Sequence, residues 1–394
     1  MTALRVAMIA GEASGDVLAA GIIKQLKLIY PNAVFEGIGG QHMQAQGFHS
    51  YFEMESLSVM GLVEVLKHLP TLLKIRSSIV QRFIDNPPDV FVGIDAPDFN
   101  LPVEKKLKKR GIRTVHYVSP TVWAWRESRI HKVAAATNLV LGIFPFEQPI
   151  YDKYHVPYQY VGHTMADGIA IKPDFLTHRQ QFGIADQHAV LAILPGSRAK
   201  EVSNLLPAFI DTANILSKQI PGFKVLIPAA NMSRKIQIES ILSDSQTQFE
   251  YQVTSESARD AMLASDAVLL ASGTASLEAM LCKKPMVVAY RMSALTYKIM
   301  QRLYKPKYFA LPNILAGEQL VPELLQEDVN PGNMAKQLLI YFQLPYRQTQ
   351  HAKLITRFEA LHLVLSQQAD QQSARAIAKL VEDGTFCEVR DLTQ

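Results

Sequence analysis

The stretch FVGIDAPDFN, Phe91–Asn100, is a short apolar run that ends in two aspartates, Asp95 and Asp98. Asp and Pro both favour turns, so this segment could be no more than the end of a buried strand. It could equally belong to a ligand site, because open α/β sheets bind ligands outside the carboxyl ends of their strands. Under either interpretation, the apolar run predicts a strand at Val90–Ile94.

The same succession of short apolar run, polar turn and helical segment recurs along both halves of the chain. Strands that alternate with helices predict a parallel, doubly wound sheet in each half. We therefore expect an α/β protein with two Rossmann-like domains facing a cleft. The predicted strands are Arg5–Ala10, Val34–Ile38, Val90–Ile94, Thr114–Val118 and Leu139–Ile143 in the first half, and Val190–Leu194, Phe223–Pro228, Asp266–Ala271 and Pro285–Ala289 in the second.

The composition indicates a globular protein of more than one domain. The 394 residues exceed one ordinary core, and 48% of them are apolar. A net charge of +4 is too small to indicate nucleic-acid binding. The two cysteines, Cys282 and Cys387, form no CxxC motif, which argues against a disulfide scaffold or a Cys-ligated zinc site. The eleven histidines form no HxH or HExxH cluster, so no metal site is expected.

The order of segments predicts the domain boundaries and the cellular location. We expect a first domain over residues 1–167 and a second over 168–345, with the linker at GHTMADG, Gly162–Gly168. Residues 346–394 are expected to form helices that pack back on the first domain. The N-terminus reads as a strand rather than a signal peptide, and no apolar run approaches the roughly 18 residues of a spanning helix. A cytoplasmic protein that can touch a membrane is the expectation.

Two strand–turn–helix loops are candidate anion sites, because backbone N–H groups at a helix start can hold an anion. AGEASGD, Ala10–Asp16, offers Glu12 and Ser14; the alternative is a plain turn with Ser14 as the N-cap. ILPGSRAKEV, Ile193–Val202, offers Ser197 and Arg198, whose guanidinium can grip a phosphate. The alternative there is a capped helix with a surface arginine.

LLASGTASLEAML, Leu269–Leu281, is the most specific of these loops. The turn Ser272–Gly273–Thr274 presents a helix start to a diphosphate. Glu278 follows one helical turn later on the same side, where its carboxylate can accept two hydrogen bonds from a ribose diol. The alternative is a solvated glutamate on an exposed face. Together with Arg198, these residues predict a nucleotide site in the second domain.

The segment Ser58–Arg76 combines leucines on one helical face with interspersed basic residues. A helix of this kind can lie on an anionic membrane. The alternative is an ordinary helix packed on the sheet, and Pro70 is expected to kink or split it.

These strings, in this order, resemble the lipid A disaccharide synthases, bacterial glycosyltransferases of outer-membrane lipid A assembly (glycosyltransferase family 19). The resemblance covers nearly the whole chain and implies a GT-B fold with a helical C-terminal segment. The motifs that carry it are GEASGD, GIGG, VMGLVEVL, FVGIDAPDFN, YVSPTVWAWR, FPFEQPIYDKY, GHTMAD, LPGSR, SGTASLEAMLCKKPMVVAYRM and LPNILAG.

The resemblance also implies a reaction. The donor would be UDP-2,3-diacylglucosamine and the acceptor 2,3-diacylglucosamine 1-phosphate, and the products a β-1,6-linked disaccharide 1-phosphate and UDP. Transfer would be inverting and would need neither metal nor cofactor. The enzyme would be peripheral on the inner face of the cytoplasmic membrane, reached through Ser58–Arg76, with no nucleic-acid partner. A homodimer is compatible with the sequence, which does not define the oligomeric state.

The resemblance assigns roles to individual residues. It implies that Asp95 is the catalytic base, with Asp98 ranked second, and that Arg198 and Asn313 take part in catalysis. Glu278 matches the position that grips the uridine ribose. His116, which also lies near a strand end, is the competing base.

Two other functions fit the same pattern. A UDP-sugar epimerase can use the same scaffold and the same nucleotide-gripping loops, and fold alone does not separate the two classes. Against it, the apolar segment Ser58–Arg76 favours a lipid substrate. A non-catalytic sugar-nucleotide-binding protein is the second rival, but it would have no use for Asp95.

Overall fold

The computed structural model describes residues 3–57, 62–124 and 127–383. They form two compact units. The first comprises the described residues of Met1–Asp167 and Leu365–Gln394, and the second is Gly168–Val364. The expected third segment from residue 346 differs from this division, since the chain stays in the second unit until Val364 and returns to the first only at Leu365.

The described part of the first unit contains a seven-stranded parallel sheet in the order β3-β2-β1-β4-β5-β6-β7. Its strands are β1 (Arg5–Ala10), β2 (Val34–Ile38), β3 (His49–Phe52), β4 (Val90–Ile94), β5 (Arg113–Tyr117), β6 (Leu139–Gly142) and β7 (Tyr158–Tyr160). Its helices are α1 (Ala13–Ile29), α2 (Gln41–Ala45), α3 (Leu62–Asp85), α4 (Pro97–Lys108), α5 (Ile130–Ala136), α6 (Gln148–Lys153), α7 (Thr164–Asp167) and, at the far end of the chain, α18 (Ala369–Asp383).

Helices cover both faces of this sheet, which explains why its inner strands are largely apolar and why β4 is buried at every position. Along β1, Val6 and Met8 lie in a core cluster with residues of α1 and α18. The alternate residues Ala7 and Ile9 lie in a second cluster with residues of α3 and α4. The period of two in strand side chains produces this division.

The last described helix, α18, closes the first of these cores. Ala374, Ile377 and Leu380 are buried with the residues of α1. Asp167 fixes the start of the helix, because its Oδ2 accepts a hydrogen bond from the backbone N–H of Ala369 at 2.6 Å. At Gly21 of α1, a Cβ atom would lie 2.1 Å from Asp370 Oδ2, so only glycine fits there without a shift.

The described part of the second unit contains a six-stranded parallel sheet in the order β10-β9-β8-β11-β12-β13. Its strands are β8 (Ala189–Leu194), β9 (Phe223–Pro228), β10 (Glu250–Thr254), β11 (Ala267–Ala271), β12 (Met286–Tyr290) and β13 (Glu323–Leu325). Its helices are α8 (Phe175–Gln181), α9 (Ala199–Ser217), α10 (Met232–Ser243), α11 (Ala258–Ala264), α12 (Thr274–Leu281), α13 (Ala294–Leu303), α14 (Leu311–Ala316), α15 (Pro331–Phe342), α16 (Leu344–Thr349) and α17 (His351–Leu365).

Each sheet reverses its strand order once, and this reversal positions the candidate sites. In the first unit the order reverses at the β1–β4 pair, and in the second at the β8–β11 pair. Ligands of doubly wound sheets bind in the crevice at such a point, outside the carboxyl ends of the two strands. Asp95 directly follows β4, while Pro195–Arg198 and Ser272–Thr274 follow β8 and β11.

The sequence predicted the inner strands of both sheets and missed the edge strands. All nine predictions correspond to observed strands, with bounds that differ by at most one residue. The four strands that were not predicted are β3, β7, β10 and β13, which are the four edge strands. Pro70 was expected to kink or split the helix; the split is absent, because α3 continues through Pro70, and the kink stays a prediction.

Candidate active site

A cavity of about 510 Å³ lies at the reversal point of the second sheet. The segments that follow β8, β9, β10 and β11 form its walls, and the sequence predicted the turns after β8 and β11. The predicted nucleotide-binding residues that line it are Ser197, Arg198, Ser272, Gly273, Thr274 and Glu278. The structure therefore brings all the second-domain candidates, apart from Asn313, to one cavity.

The turn after β8 places Arg198 at the start of α9. Gly196 has a φ of +118°, and a Cβ there would lie 2.6 Å from Glu201 Cβ. The Glu201 carboxylate accepts hydrogen bonds from the backbone N–H groups of Ser197 and Arg198, each at 3.2 Å. The N–H groups at the start of α9 therefore already bind one carboxylate, that of Glu201. The Arg198 side chain is 65% exposed, with Nη1 3.3 Å from Glu201 Oε1.

The turn after β11 depends on Gly273, whose φ of +135° is rarely adopted by other residues. It leads directly into α12, which starts at Thr274. The first turn of a helix has N–H groups without intrahelical partners, and the helix dipole makes that end positive. The cavity is thus bounded by the N-terminal ends of two helices, α9 and α12.

Glu278 lies one turn into α12 on the cavity wall. Its side chain is only 18% exposed, and Arg259 Nε lies 3.2 Å from its Oε1. The alternative of a solvated glutamate on an exposed face therefore does not describe this residue. One carboxylate oxygen is oriented by Arg259, an arrangement that suits a carboxylate accepting hydrogen bonds from a ligand.

Asp95 occupies the reversal point of the first sheet in a strained turn. Both Asp95, with φ +49°, and Ala96, with φ +42°, adopt left-handed conformations. Such conformations cost of order 1–3 kcal/mol each and cluster at functional sites. Gly11 makes the turn possible, because a Cβ there would lie 3.2 Å from Ala96 Cβ. Asp95 is therefore a turn residue and also lies at the position of the sheet where a ligand is expected.

Asn100 holds this turn in place and was missed as a functional candidate in the sequence. It is fully buried, and its Nδ2 donates to the carbonyl oxygens of Asp95, Ile94 and Ile9 at 2.9, 3.2 and 3.3 Å. The backbone N–H of Asp95 donates to the Tyr117 carbonyl at 2.8 Å. The backbone is thus fixed while the Asp95 side chain remains half-buried.

Asp98 and His116, the alternative candidates for the catalytic base, differ from Asp95 in the exposure of their side chains. Asp98 lies in the first turn of α4 with its side chain 90% exposed, 2.9 Å from Arg129 Nη2. His116 is completely buried, and its Nδ1 lies 2.7 Å from Glu104 Oε1. Burial raises the pKa of Glu104. A substrate hydroxyl can reach neither ring nitrogen of His116 without displacing the core.

Asn313 lies in a buried hydrogen-bond network, and the catalytic role that the resemblance implies for it stays a prediction. It is fully buried, and its Nδ2 donates to the Val321 carbonyl at 2.9 Å and to Glu323 Oε1 at 2.8 Å. Its Oδ1 accepts from the backbone N–H groups of Leu320 and Val321. These four bonds tie α14 to the following loop and to the start of β13, an arrangement that suits a positioning residue.

Glu12 and Ser14 are exposed residues of the first unit and do not line the second unit's cavity. Glu12, rather than Ser14, is the N-cap residue of α1. Asp16 in the same loop is buried, and its carboxylate accepts from the backbone N–H groups of Gly40, His42 and Met43, which begin α2. A nucleotide-binding role for Glu12 and Ser14 stays a prediction.

The amphipathic segment is only partly described. Residues 58–61 lie outside the described ranges, as do the side chains of 62–68. In the described part of this segment, Leu69 and Leu73 are 41% and 44% exposed on α3, whereas Ile75 is buried in the core.

Among the described helices, none is both long and apolar enough to cross a bilayer. Within the same residues, no group of three His, Cys, Asp or Glu side chains could hold a metal ion.

Solved structures of low sequence identity share the fold. The crystal structure of MurG from Acinetobacter baumannii superposes with a TM-score of 0.57 at 14% identity, covering 96% of this chain and 99% of that one. UDP-GlcNAc 2-epimerase from Neisseria meningitidis bound to UDP-GlcNAc gives 0.57 at 14% identity, covering 95% and 99%. Transferases and epimerases therefore both match, and these likenesses show the GT-B fold alone.

Sequence relatives are far more specific. The family model for lipid-A-disaccharide synthetase matches residues 6–377. A lipid-A-disaccharide synthase of Alteromonas mediterranea is 58% identical over 379 residues, 95% of this chain and 98% of that protein. One from Haemophilus influenzae is 50% identical over 378 residues, 96% and 97% of the two chains. The chain belongs to the lipid-A-disaccharide synthase family of glycosyltransferases.

Proposed function

We propose that this protein transfers the sugar of UDP-2,3-diacylglucosamine to 2,3-diacylglucosamine 1-phosphate with inversion at the anomeric carbon. The products are a β-1,6-linked disaccharide 1-phosphate and UDP. The observation that carries the proposal is the cavity bounded by the N-terminal ends of α9 and α12 and by Arg198 and Glu278. Its groups match the parts of a UDP leaving group.

UDP would be held in this cavity by charge and by hydrogen bonds. The diphosphate lies at the starts of α9 and α12, with Arg198 as its cation, and Glu278 accepts hydrogen bonds from the ribose hydroxyls. As the bond between the anomeric carbon and the phosphate oxygen breaks, negative charge grows on the diphosphate. Preorganised N–H dipoles and a guanidinium stabilise that charge. No metal ion is required for this step.

Asp95 would be the general base of the reaction. The acceptor's 6-hydroxyl oxygen attacks the anomeric carbon, its proton passes to the Asp95 carboxylate, and the electron pair of the broken bond leaves with UDP. A carboxylate within hydrogen-bond reach accepts the proton as the new bond forms. The strained turn at Asp95 and Ala96, held by Asn100, supports this role. Asp98 would contribute less, because it is exposed and paired with Arg129.

The enzyme would act at the inner face of the cytoplasmic membrane, where both acylated substrates reside. The exposed leucines Leu69 and Leu73 on α3 support peripheral binding through Ser58–Arg76. Lys74, exposed on the same helix, adds attraction to anionic lipid.

Incubation with both lipid substrates and mass analysis of the product tests the reaction. The expected product has the mass of a tetra-acylated disaccharide monophosphate, formed together with UDP and without added metal. Incubation with donor alone is the control for an epimerase, which needs no acceptor. Conversion of the donor in the absence of acceptor, with no disaccharide when both are present, would contradict the proposal.

A further inference from the structure

A second cavity of about 500 Å³ adjoins the nucleotide cavity within the second unit. The two cavities share four lining residues, Arg198, Glu201, Ser272 and Gly273. These are the turns after β8 and β11 at which the diphosphate is proposed to lie. A ligand that occupies the first cavity with its diphosphate can therefore extend into the second without leaving the protein surface.

The second cavity has a different chemistry from the first. Its remaining walls are mainly aromatic and aliphatic, with Gln301 and Lys307 as the two polar members, and they come from β12 and the turn after it, α13, the segment after α13 and β13. The side chains of Tyr297, Met300, Tyr304, Tyr308, Phe309 and Leu325 line it. The hydroxyl of Tyr304 donates to the Tyr308 carbonyl at 2.9 Å, so its polar tip is satisfied within the wall. A lining of this kind suits an apolar group better than a sugar hydroxyl or a phosphate.

The buried network around Asn313 fixes one wall of this cavity. The Glu323 carboxylate accepts hydrogen bonds from the backbone N–H groups of Phe309 and Ala310 at 2.8–3.2 Å. Asn313 Nδ2 donates to the same carboxylate at 2.8 Å. Because β13 continues from Glu323 to Leu325, this network holds two parts of the lining at once. Buried hydrogen bonds of the fold therefore hold this wall of the cavity in place.

We propose that this cavity binds a fatty acyl chain of the UDP-sugar donor. The inference rests on the proposed function, since it takes a diacylated sugar on UDP as the donor. In such a donor the acylated sugar is attached directly to the diphosphate, and the cavity opens at the turns that hold the diphosphate. A donor without acyl chains would leave this apolar cavity unfilled. The occupant is the donor's chain rather than the acceptor's, because the cavity is continuous with the nucleotide site.

Met300 offers a direct test, because the larger side chain of tryptophan at that position would occupy part of the cavity. The preceding residue, Ile299, is 48% exposed on the same helix and does not line the cavity, so Ile299→Trp is the matched control. Initial rates are measured with UDP-2,3-diacylglucosamine donors of several acyl lengths and a constant acceptor. UDP binding is measured separately by calorimetry.

Each methylene displaced from the cavity should weaken donor binding about fourfold. We expect Met300→Trp to raise the donor KM by one to two orders of magnitude for long chains. Short-chain donors and UDP alone should bind as they do to the wild type, and Ile299→Trp should leave all of these values unchanged. If Met300→Trp does not fold, the near-isosteric Met300→Gln replaces it and should reduce the same chain-length dependence.

Three outcomes separate the acyl site from the reaction itself. If the wild type forms no disaccharide from any donor, the proposed function fails. If the wild type forms the disaccharide but both Met300 variants keep its donor chain-length profile, the acyl site alone is refuted. A profile that changes with the acceptor's chain length rather than the donor's also refutes it.

Discussion

The Nδ2 of Asn100 donates a hydrogen bond to the backbone carbonyl of Asp95, with the two atoms 2.9 Å apart. This bond ties the first helix turn of α4 to the strand end that precedes it. It restrains a backbone that is left-handed at two successive residues, Asp95 and Ala96. Asn100 therefore fixes the direction in which the Asp95 carboxylate leaves the sheet.

Asp95→Asn should reduce kcat by roughly 10²–10⁴, because it preserves the shape of the side chain and removes its basicity. The Kd of UDP, measured by calorimetry, should stay close to that of the wild type, since the nucleotide cavity is lined by the second unit. Asp98→Asn is the matched control from the same motif and should have a milder effect. If Asp95→Asn retains near-normal turnover, Asp95 is not the general base and only shapes the turn.

Arg198→Ala should lower the rate by roughly 10²–10³, the range for losing one preorganised donor to a developing anion. Lys200→Ala removes a positive charge two residues away, from a side chain that does not line the cavity, and should leave the rate unchanged. Both variants are compared with the wild type in steady-state assays with and without EDTA. Loss of wild-type activity in EDTA, restored by Mg²⁺, would show that the leaving group is neutralised by a metal instead.

Leu69→Ser combined with Leu73→Ser should reduce binding to vesicles that contain anionic phospholipid. Burial of one leucine contributes about 1.5–3 kcal/mol, so loss of two should lower the partition coefficient by more than tenfold. Because both side chains are over 40% exposed, the melting temperature should change little. Leu28→Ser on α1, where the leucine is 73% exposed, is the control for a general loss of surface hydrophobicity. Vesicle co-sedimentation that is unchanged in the double variant would argue against docking through α3.

Glu147 should make the protein less stable as the pH rises from about 4.5 to about 7. Burial raises the pKa of its carboxyl from 4.5 to about 7. Between these two values the folded state binds more protons than the unfolded state, so the free energy of unfolding falls with rising pH. A shift of this size corresponds to a loss on the order of 3 kcal/mol, complete above about pH 7.

Glu147→Gln, which cannot ionise, should remove this part of the pH dependence. The melting temperature of the variant relative to the wild type should therefore be higher at pH 8 than at pH 5. Asp152→Asn on α6, where the aspartate is exposed, is the matched control and should leave the profile unchanged. A difference between variant and wild type that is constant across this pH range would contradict the argument.

The strands that the sequence predicted and those that it missed differ in one physical respect. Inner strands of a parallel sheet are covered on both faces, so strands such as β1 and β4 are continuous apolar runs. The edge strand β7 has the sequence YQY and is only partly buried, and β10, EYQVT, is mostly exposed. Without an apolar run, such segments have no signal that separates them from loops.

In the candidate site, too, some features could be predicted from the sequence and others could not. The placement of Arg198, Gly273 and Glu278 at one cavity could be predicted, because each lies in a short motif that directly follows a predicted strand. The burial of Asn313 and its bonds to Val321 and Glu323 could not be predicted, because an exposed amide and a buried, internally bonded amide look the same in a sequence. The apolar second cavity was also missed, because its lining is spread from Tyr290 to Leu325 without a continuous motif.

The position of α18 in the chain has a consequence for synthesis on the ribosome. This helix covers α1 in the first unit, yet it follows the whole of the second unit in sequence. At roughly 5–20 residues per second, the intervening segment of about 200 residues takes some 10–40 s to translate. During that time the part of α1 that α18 covers lacks this partner, whereas the second unit is made from one continuous segment. The second unit can therefore complete its core first, so that the order of folding is the reverse of the order of translation.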